Sequence, residues 1–138
     1  MKTILKLILS CLFIFWLTSS CSPDDSSDLF IVNDFTITID ENPIANSLIG
    51  KISSKVDPSK FLIYSIMSPA TDKAISILNY PETGLIYVND AALFDFETNP
   101  VIKSAVTVYL VRYKLDFSTE TLDSKTITVT INLKDLPE

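Results

Sequence analysis

Apolar and polar positions alternate along most of the chain after Leu29. Phe35-Thr36-Ile37-Thr38-Ile39 and Thr126-Ile127-Thr128-Val129-Thr130-Ile131 alternate strictly. Residues 48–52, 61–66, 85–88 and 101–113 are short runs rich in β-branched and aromatic side chains, and residues 74–78 form a weaker one. A period of two with this composition is the mark of half-buried strands. Turn-forming clusters separate the runs: Glu41-Asn42-Pro43, Asp57-Pro58-Ser59, Pro81-Glu82-Thr83-Gly84 and Glu97-Thr98-Asn99-Pro100. No stretch sustains a helical stripe over three turns. The pattern predicts an all-β fold, a seven-stranded Greek-key β-sandwich of two packed sheets.

Alternation also predicts the core. Phe35, Ile37 and Ile39 share one face and Thr36 and Thr38 the other, and Ile127, Val129 and Ile131 repeat the arrangement near the C-terminus. In the longest run, Val106, Val108, Leu110 and Arg112 fall on one side, and Thr107, Tyr109, Val111 and Tyr113 on the other. A strand apolar on both sides belongs in the middle of a sheet. Gly84 ends a turn cluster, where a residue able to take positive φ is expected.

The N-terminus has another character. Lys2 and Lys6 precede Leu7 to Leu17, apolar except for Ser10. Eleven residues rise only about 16 Å as a helix, short of a hydrocarbon core of about 30 Å, so residues 1–20 read as a signal peptide rather than a membrane span. Thr18, Ser19, Ser20 and Cys21 follow. This order resembles the lipobox of bacterial lipoproteins, with Thr18 where that family usually has Leu. The resemblance implies that Cys21 is acylated and becomes the first residue of a mature chain of 138 − 20 = 118 residues. Cys11 leaves with the signal, so no thiol remains for a disulfide, a metal or a nucleophile. Residues 22–28, with no apolar side chain, read as a solvated tether. The expected organisation is a lipoprotein signal peptide at 1–20, the lipidated Cys21 with a flexible acidic tether at 21–33, and a sandwich at 34–138. The acidic run after Cys21 resembles surface-export signals of some Gram-negative groups. The expected place is therefore the outer membrane or cell surface of a Gram-negative bacterium, with the membrane as partner through the anchor.

Composition narrows the chemistry. The chain has no histidine, which removes Ser–His and Cys–His pairs and imidazole metal ligands. Lys and Arg total 11 against 17 Asp and Glu; without Lys2 and Lys6 the balance is 9 − 17 = −8. Such a surface repels phosphate backbones, so no nucleic acid is expected as a partner, and it suits hard cations with oxygen ligands.

Three acidic segments stand in order: Ile39-Asp40-Glu41-Asn42-Pro43; the hairpin Glu82-Thr83-Gly84 leading to Leu93-Phe94-Asp95-Phe96-Glu97; and Asn132-Leu133-Lys134-Asp135-Leu136-Pro137. Together they resemble the cadherin repeat, with its Glu-Asn-x-Pro-like turn, Thr-Gly hairpin, Leu-Asp-x-Glu motif and Asp-x-Asn-Asp linker. The resemblance runs from about Phe35 to Pro137. It implies a cadherin/Ig-like sandwich in which Glu41, Asp95, Glu97 and Asp135, with Asn132 as a further candidate, hold Ca²⁺ at one end. Lys134 and Leu136 stand where the family has linker Asn residues, and only Asp57 remains of its Asp-x-Asp. A single repeat supplies part of a cage, so binding in the range of about 10⁻⁴–10⁻³ M is expected. Independently of the family, Asp95 and Glu97 two apart in an extended segment point the same way. Gathered carboxylates repel one another or take up protons unless a cation joins them.

The expected function is a lipid-anchored envelope protein that binds calcium weakly and serves cell-surface adhesion or protein–protein interaction, with an unidentified protein or glycan partner. The alternative is a non-metal-binding accessory or carbohydrate-binding sandwich of an envelope complex, drawing on Tyr80 and Tyr87. No catalysis is expected: the acidic pair Asp95 and Glu97 has no evident deep cleft around it, and Trp16, the only Trp, leaves with the signal. Phe61, Leu62 and Phe117 lie near loops as candidate contact residues, with the core as the other assignment for each.

Overall fold

A computed structural model describes residues 30–67, 73–79 and 84–137. The signal, Cys21 and the first part of the tether lie outside the described residues, as do Tyr80, Glu82 and Thr83.

The frame is a long hairpin. β8 (Val101–Tyr113) and β9 (Thr119–Lys134) pair antiparallel from Val101 opposite Asn132 to Tyr113 opposite Thr119. β5 (Phe61–Met67) adds to the free edge of β8, with Phe61 opposite Val111. β2 (Phe35–Asp40) adds to β9 and runs parallel to it, from Phe35 opposite Val129 to Asp40 opposite Lys134. The resulting sheet has the order β2-β9-β8-β5, so the longest apolar strand is central, as its two-sided pattern predicts. A second sheet, β3-β7-β6, comprises β3 (Leu48–Lys51), β7 (Leu85–Val88) and β6 (Ile75–Leu78). Two short strands, β1 (Phe30–Val32) and β4 (Ser54–Val56), pair antiparallel.

The two sheets enclose one core. Leu62 and Tyr64 of β5, Val106, Val108 and Leu110 of β8, and Ile127, Val129, Ile131 and Leu133 of β9 pack with Ile75, Ile86 and Val88 of the smaller sheet. The molecule is a β-sandwich. Phe35, Ile37 and Ile39 are half-buried and Thr36 and Thr38 exposed, so the face predicted for this segment is the one observed.

Nine strands stand among the described residues rather than seven. β1 and β4, three residues each, are too short to show a period. β1 also shortens the tether expected over 21–33: Phe30 and Val32 are buried, so the folded domain has begun by residue 30. Arg112 does not join the core: it is exposed and pairs with Glu120, 2.8 Å away. Val111 stays on the face of Tyr109 and is buried there outside the core cluster, while a bulge on β9 leaves Leu122 without a partner opposite Leu110 and Val111. Leu62 is core, whereas Phe117 is exposed. Gly84 takes φ +80°, and a Cβ there would stand 3.1 Å from the Tyr64 hydroxyl, so both conformation and space require glycine.

The parallel pairing of β2 with β9 fixes what meets at each end. β2 and β9 finish together, and β8 begins beside them. The opposite end carries the β8–β9 turn and the entry of the chain at Phe30.

Candidate functional site

At the end where β2 and β9 finish, three segments converge: the turn after β2, residues 91–100 before β8, and the residues after β9. Asn42 N–H donates to Phe94 O at 2.9 Å, Glu41 N–H to Lys134 O at 3.2 Å, and Leu133 N–H to Pro100 O at 3.0 Å. Phe94, 0% exposed, anchors the middle segment in the core. Ahead of it lies a short 3-10 turn, Ala91–Leu93, whose start is capped by the Asp90 carboxylate.

Glu41 is the hub. Its side chain is 4% exposed, a rare setting for a carboxylate without partners. Oε2 accepts from Phe96 N–H at 3.0 Å and Oε1 from Leu136 N–H at 2.7 Å. One carboxylate thus ties all three segments together through charge-assisted hydrogen bonds.

Asp95 and Glu97 sit beside it. Their segment is not extended, contrary to the reasoning from their spacing. Residues 96–98 form a turn, in which Asp95 Oδ1 accepts Glu97 N–H at 3.1 Å, Oδ2 accepts the Thr98 hydroxyl at 2.7 Å, and Asp95 O accepts Asn99 N–H at 2.7 Å. The turn still delivers both side chains to one place. Oxygens of Glu41, Asp95 and Glu97 lie within 4.8 Å of one another.

Crowding shows in the ionisation. The Thr98 hydroxyl, with Glu97 next, holds the Asp95 carboxyl below its ordinary range. Glu97 feels a lowering influence from its own backbone N–H. Its hydrogen bond with Asp95, desolvation and the charges of Glu41 and Asp95 outweigh this and push it up.

The other two candidates are placed differently. Asp135 is exposed, next to the Leu136 N–H that Glu41 accepts, and its carboxylate is not one of the three grouped oxygens. Asn132 is held in the ladder between Thr38 and Val101, on the face opposite the buried Ile131 and Leu133. Lys134 Nζ lies 3.8 Å from Asp40 Oδ1, an exposed pairing. Cys21 lies outside the described residues. Sequence reasoning missed the backbone donors of Phe96 and Leu136, for which no side-chain pattern gives a signal. It also missed Thr98, whose place three residues after Asp95 is a legible turn signature.

No family model matches this sequence, and no curated protein matches it. Solved structures do. The crystal structure of mouse cadherin-23 EC22-24 matches at TM-score 0.58 and 14% identity, over 78% of this chain and 32% of that one. The solution structure of the third cadherin domain of human protocadherin 7 matches at TM-score 0.54 and 14% identity, over 77% of this chain and 84% of that one.

The fold is cadherin-like. The crystal structure of human mucin-like protocadherin EC1-2 agrees, at TM-score 0.54 and 14% identity over 76% of this chain. The cadherin-like domain spans 52% of that structure and 44% of human protocadherin-24 EC1-2, but most of the single protocadherin 7 domain.

The donor set fits a hard cation. Three carboxylates offer oxygen only, with Glu41 buried and Asp95 and Glu97 more open, and the charges of Glu41 and Asp95 are among the lesser causes that push Glu97 up. Glu41 spends one lone pair of each oxygen on a backbone N–H and keeps another on each.

Proposed function

We propose that this chain is a lipid-anchored envelope protein of a Gram-negative bacterium whose cadherin-like domain binds Ca²⁺ at its acidic pole and takes part in adhesion or protein–protein interaction. The observation that carries this reading is the convergence of Glu41 with the sequence-distant pair Asp95 and Glu97 within 4.8 Å. Glu41, Asp95 and Glu97 would hold the ion, which would supply positive charge and so lock the pole. Ca²⁺ suits them better than Mg²⁺, since it accepts six to eight oxygens in flexible geometry. The remaining oxygens would come from water, from Asp135 or from a partner. The domain acts here by binding rather than by catalysis, and acylation of Cys21 holds it to the outer membrane.

The test is calorimetric titration of the full chain in detergent with Ca²⁺, paired with thermal melting in Ca²⁺ and in EGTA. The reading expects a dissociation constant of about 10⁻⁴–10⁻³ M and a higher melting temperature with the ion. Glu97→Gln weakens binding more than Asp57→Asn. A flat titration with no change in melting temperature at millimolar ion rejects the site.

One observation favours a second reading, that of a non-metal-binding accessory domain. Glu41 already satisfies two backbone donors and closes the pole without an ion. On that reading the acids are a clamp and its exposed surroundings, and the flat titration is the expected result.

A further inference from the structure

The pole opposite the acids carries features that the interior does not use. β8 and β9 stay paired to Tyr113 opposite Thr119, past the last β5 partner at Val111, and β2 reaches only to Val129 on β9. The tip, residues 114–118, therefore stands clear of its flanking strands. At this tip Leu115 is fully exposed and Phe117 is 89% exposed. Tyr113 stacks one ring face on Phe61, with centroids 4.7 Å apart, and is otherwise open.

The turn does not need these side chains. It is closed by Lys114 N–H to Ser118 O at 2.8 Å and Phe117 N–H to Lys114 O at 3.0 Å. Asp116 Oδ1 adds the Ser118 N–H at 3.0 Å and its hydroxyl at 2.6 Å. Phe117 also holds φ 63°, at the position where three-residue hairpin loops favour glycine. A bulky apolar residue is thus kept in a strained, solvent-facing place. Ile44, Leu48 and Leu136 are exposed elsewhere without an aromatic among them, which is ordinary scatter.

The course of the chain says what lies opposite this tip. Phe30 pairs with Val56, which leads through residues 57–60 into Phe61 opposite Val111. The chain therefore enters the domain at the hairpin pole. Cys21 precedes Phe30 by 30 − 21 = 9 residues, a span of at most about 30 Å. An acyl chain on Cys21 places this pole, not the acidic one, against the bilayer. Lys55, Lys60 and Lys114 here match Asp57, Asp116 and Asp123 in number, and Arg112 is paired with Glu120, so the folded pole, apart from the acidic tether that leads into it, repels anionic headgroups less than the end with Asp40, Glu41, Asp95 and Glu97 does.

We propose that Leu115 and Phe117 form a membrane-docking tip that inserts into the interfacial region of the bilayer holding the anchor. The inference rests on the lipid-anchor reading of Cys21. One tether leaves the domain free to tumble; a second, apolar contact at the same pole holds it upright and turns the acidic pole away from the membrane.

The experiment uses the full chain carrying Trp16→Phe and Phe117→Trp, purified from membranes and reconstituted into vesicles of phosphatidylethanolamine with a minority of phosphatidylglycerol, with or without brominated acyl chains. The tip Trp shows blue-shifted emission that brominated lipid quenches, and adding Leu115→Asp abolishes both while the chain still pellets with the vesicles. A Trp in place of exposed Thr38, near the acidic pole, stays unquenched. Water-like, unquenched emission at position 117 in a pelleted chain overturns the tip but leaves the anchor. A blue shift that bromine does not quench assigns the tip to a protein neighbour and overturns the proposal. Equal quenching at position 38 means that the domain lies flat, which also overturns it. A chain that does not pellet removes the anchor and the tip together.

Discussion

Glu41 is a buried charge whose worth lies in the backbone it holds. Its two oxygens satisfy Phe96 N–H and Leu136 N–H, and charge-assisted bonds of this kind contribute about 1.5–3 kcal/mol each. Glu41→Ala strands both donors and is expected to cost about 3 kcal/mol in chemical denaturation followed by tyrosine fluorescence. Glu41→Gln retains one acceptor and falls in between. Gly84 is the second position where one residue decides. With φ +80° and the Tyr64 hydroxyl 3.1 Å from any added Cβ, Gly84→Ala combines strain with a tight contact. A loss of about 1–3 kcal/mol should appear as a lower melting temperature by circular dichroism. The two positions differ in how they could be read in advance. Gly84 is announced by its turn, whereas Glu41 appears in the sequence as a ligand and in the fold also as a clamp.

Among the strands, legibility follows from burial on one face. Where a segment has one wet and one dry side, as in β2 and the later part of β9, the alternation predicts both the strand and its inward residues. β1 and β4 escape because three residues carry no period, and they are held by partners rather than by propensity. The bulge opposite Leu110 and Val111 escapes because its extra residue, Leu122, lies on β9 in a polar stretch that carries no clear alternation. Asp95 and Glu97 were legible as neighbours, though the geometry that joins them is a turn built by Asp95 itself, not an extended strand. Asp135 was legible only by its place in the linker, and its carboxylate lies outside the group. The β8–β9 turn gives a prediction of its own. Phe117→Gly relieves the left-handed strain at φ 63° and should stabilise the fold by about 0.5–1 kcal/mol in thermal melts. The same change should lower membrane contact of the tip, so stability and docking move in opposite directions.

For the molecule as a whole, the two poles differ: acids at one, chain entry and apolar tip at the other. The state of the acidic pole should depend on protons. Glu97, pushed up, keeps its proton to a higher pH than a free glutamate, while Asp95, held down, stays ionised to lower pH. A cation needs both ionised, so calcium affinity is expected to fall as pH drops through the raised Glu97 value, before Asp95 begins to protonate. Titrations at stepped pH check the direction. The parallel alignment of β2 and β9 also sets how the domain bears a load. A load drawn from Phe30 toward Pro137 would slide these two strands past each other lengthwise, so that their six paired positions bear the strain at once instead of unzipping one by one. The sandwich would therefore resist tension drawn along its own axis between these two ends.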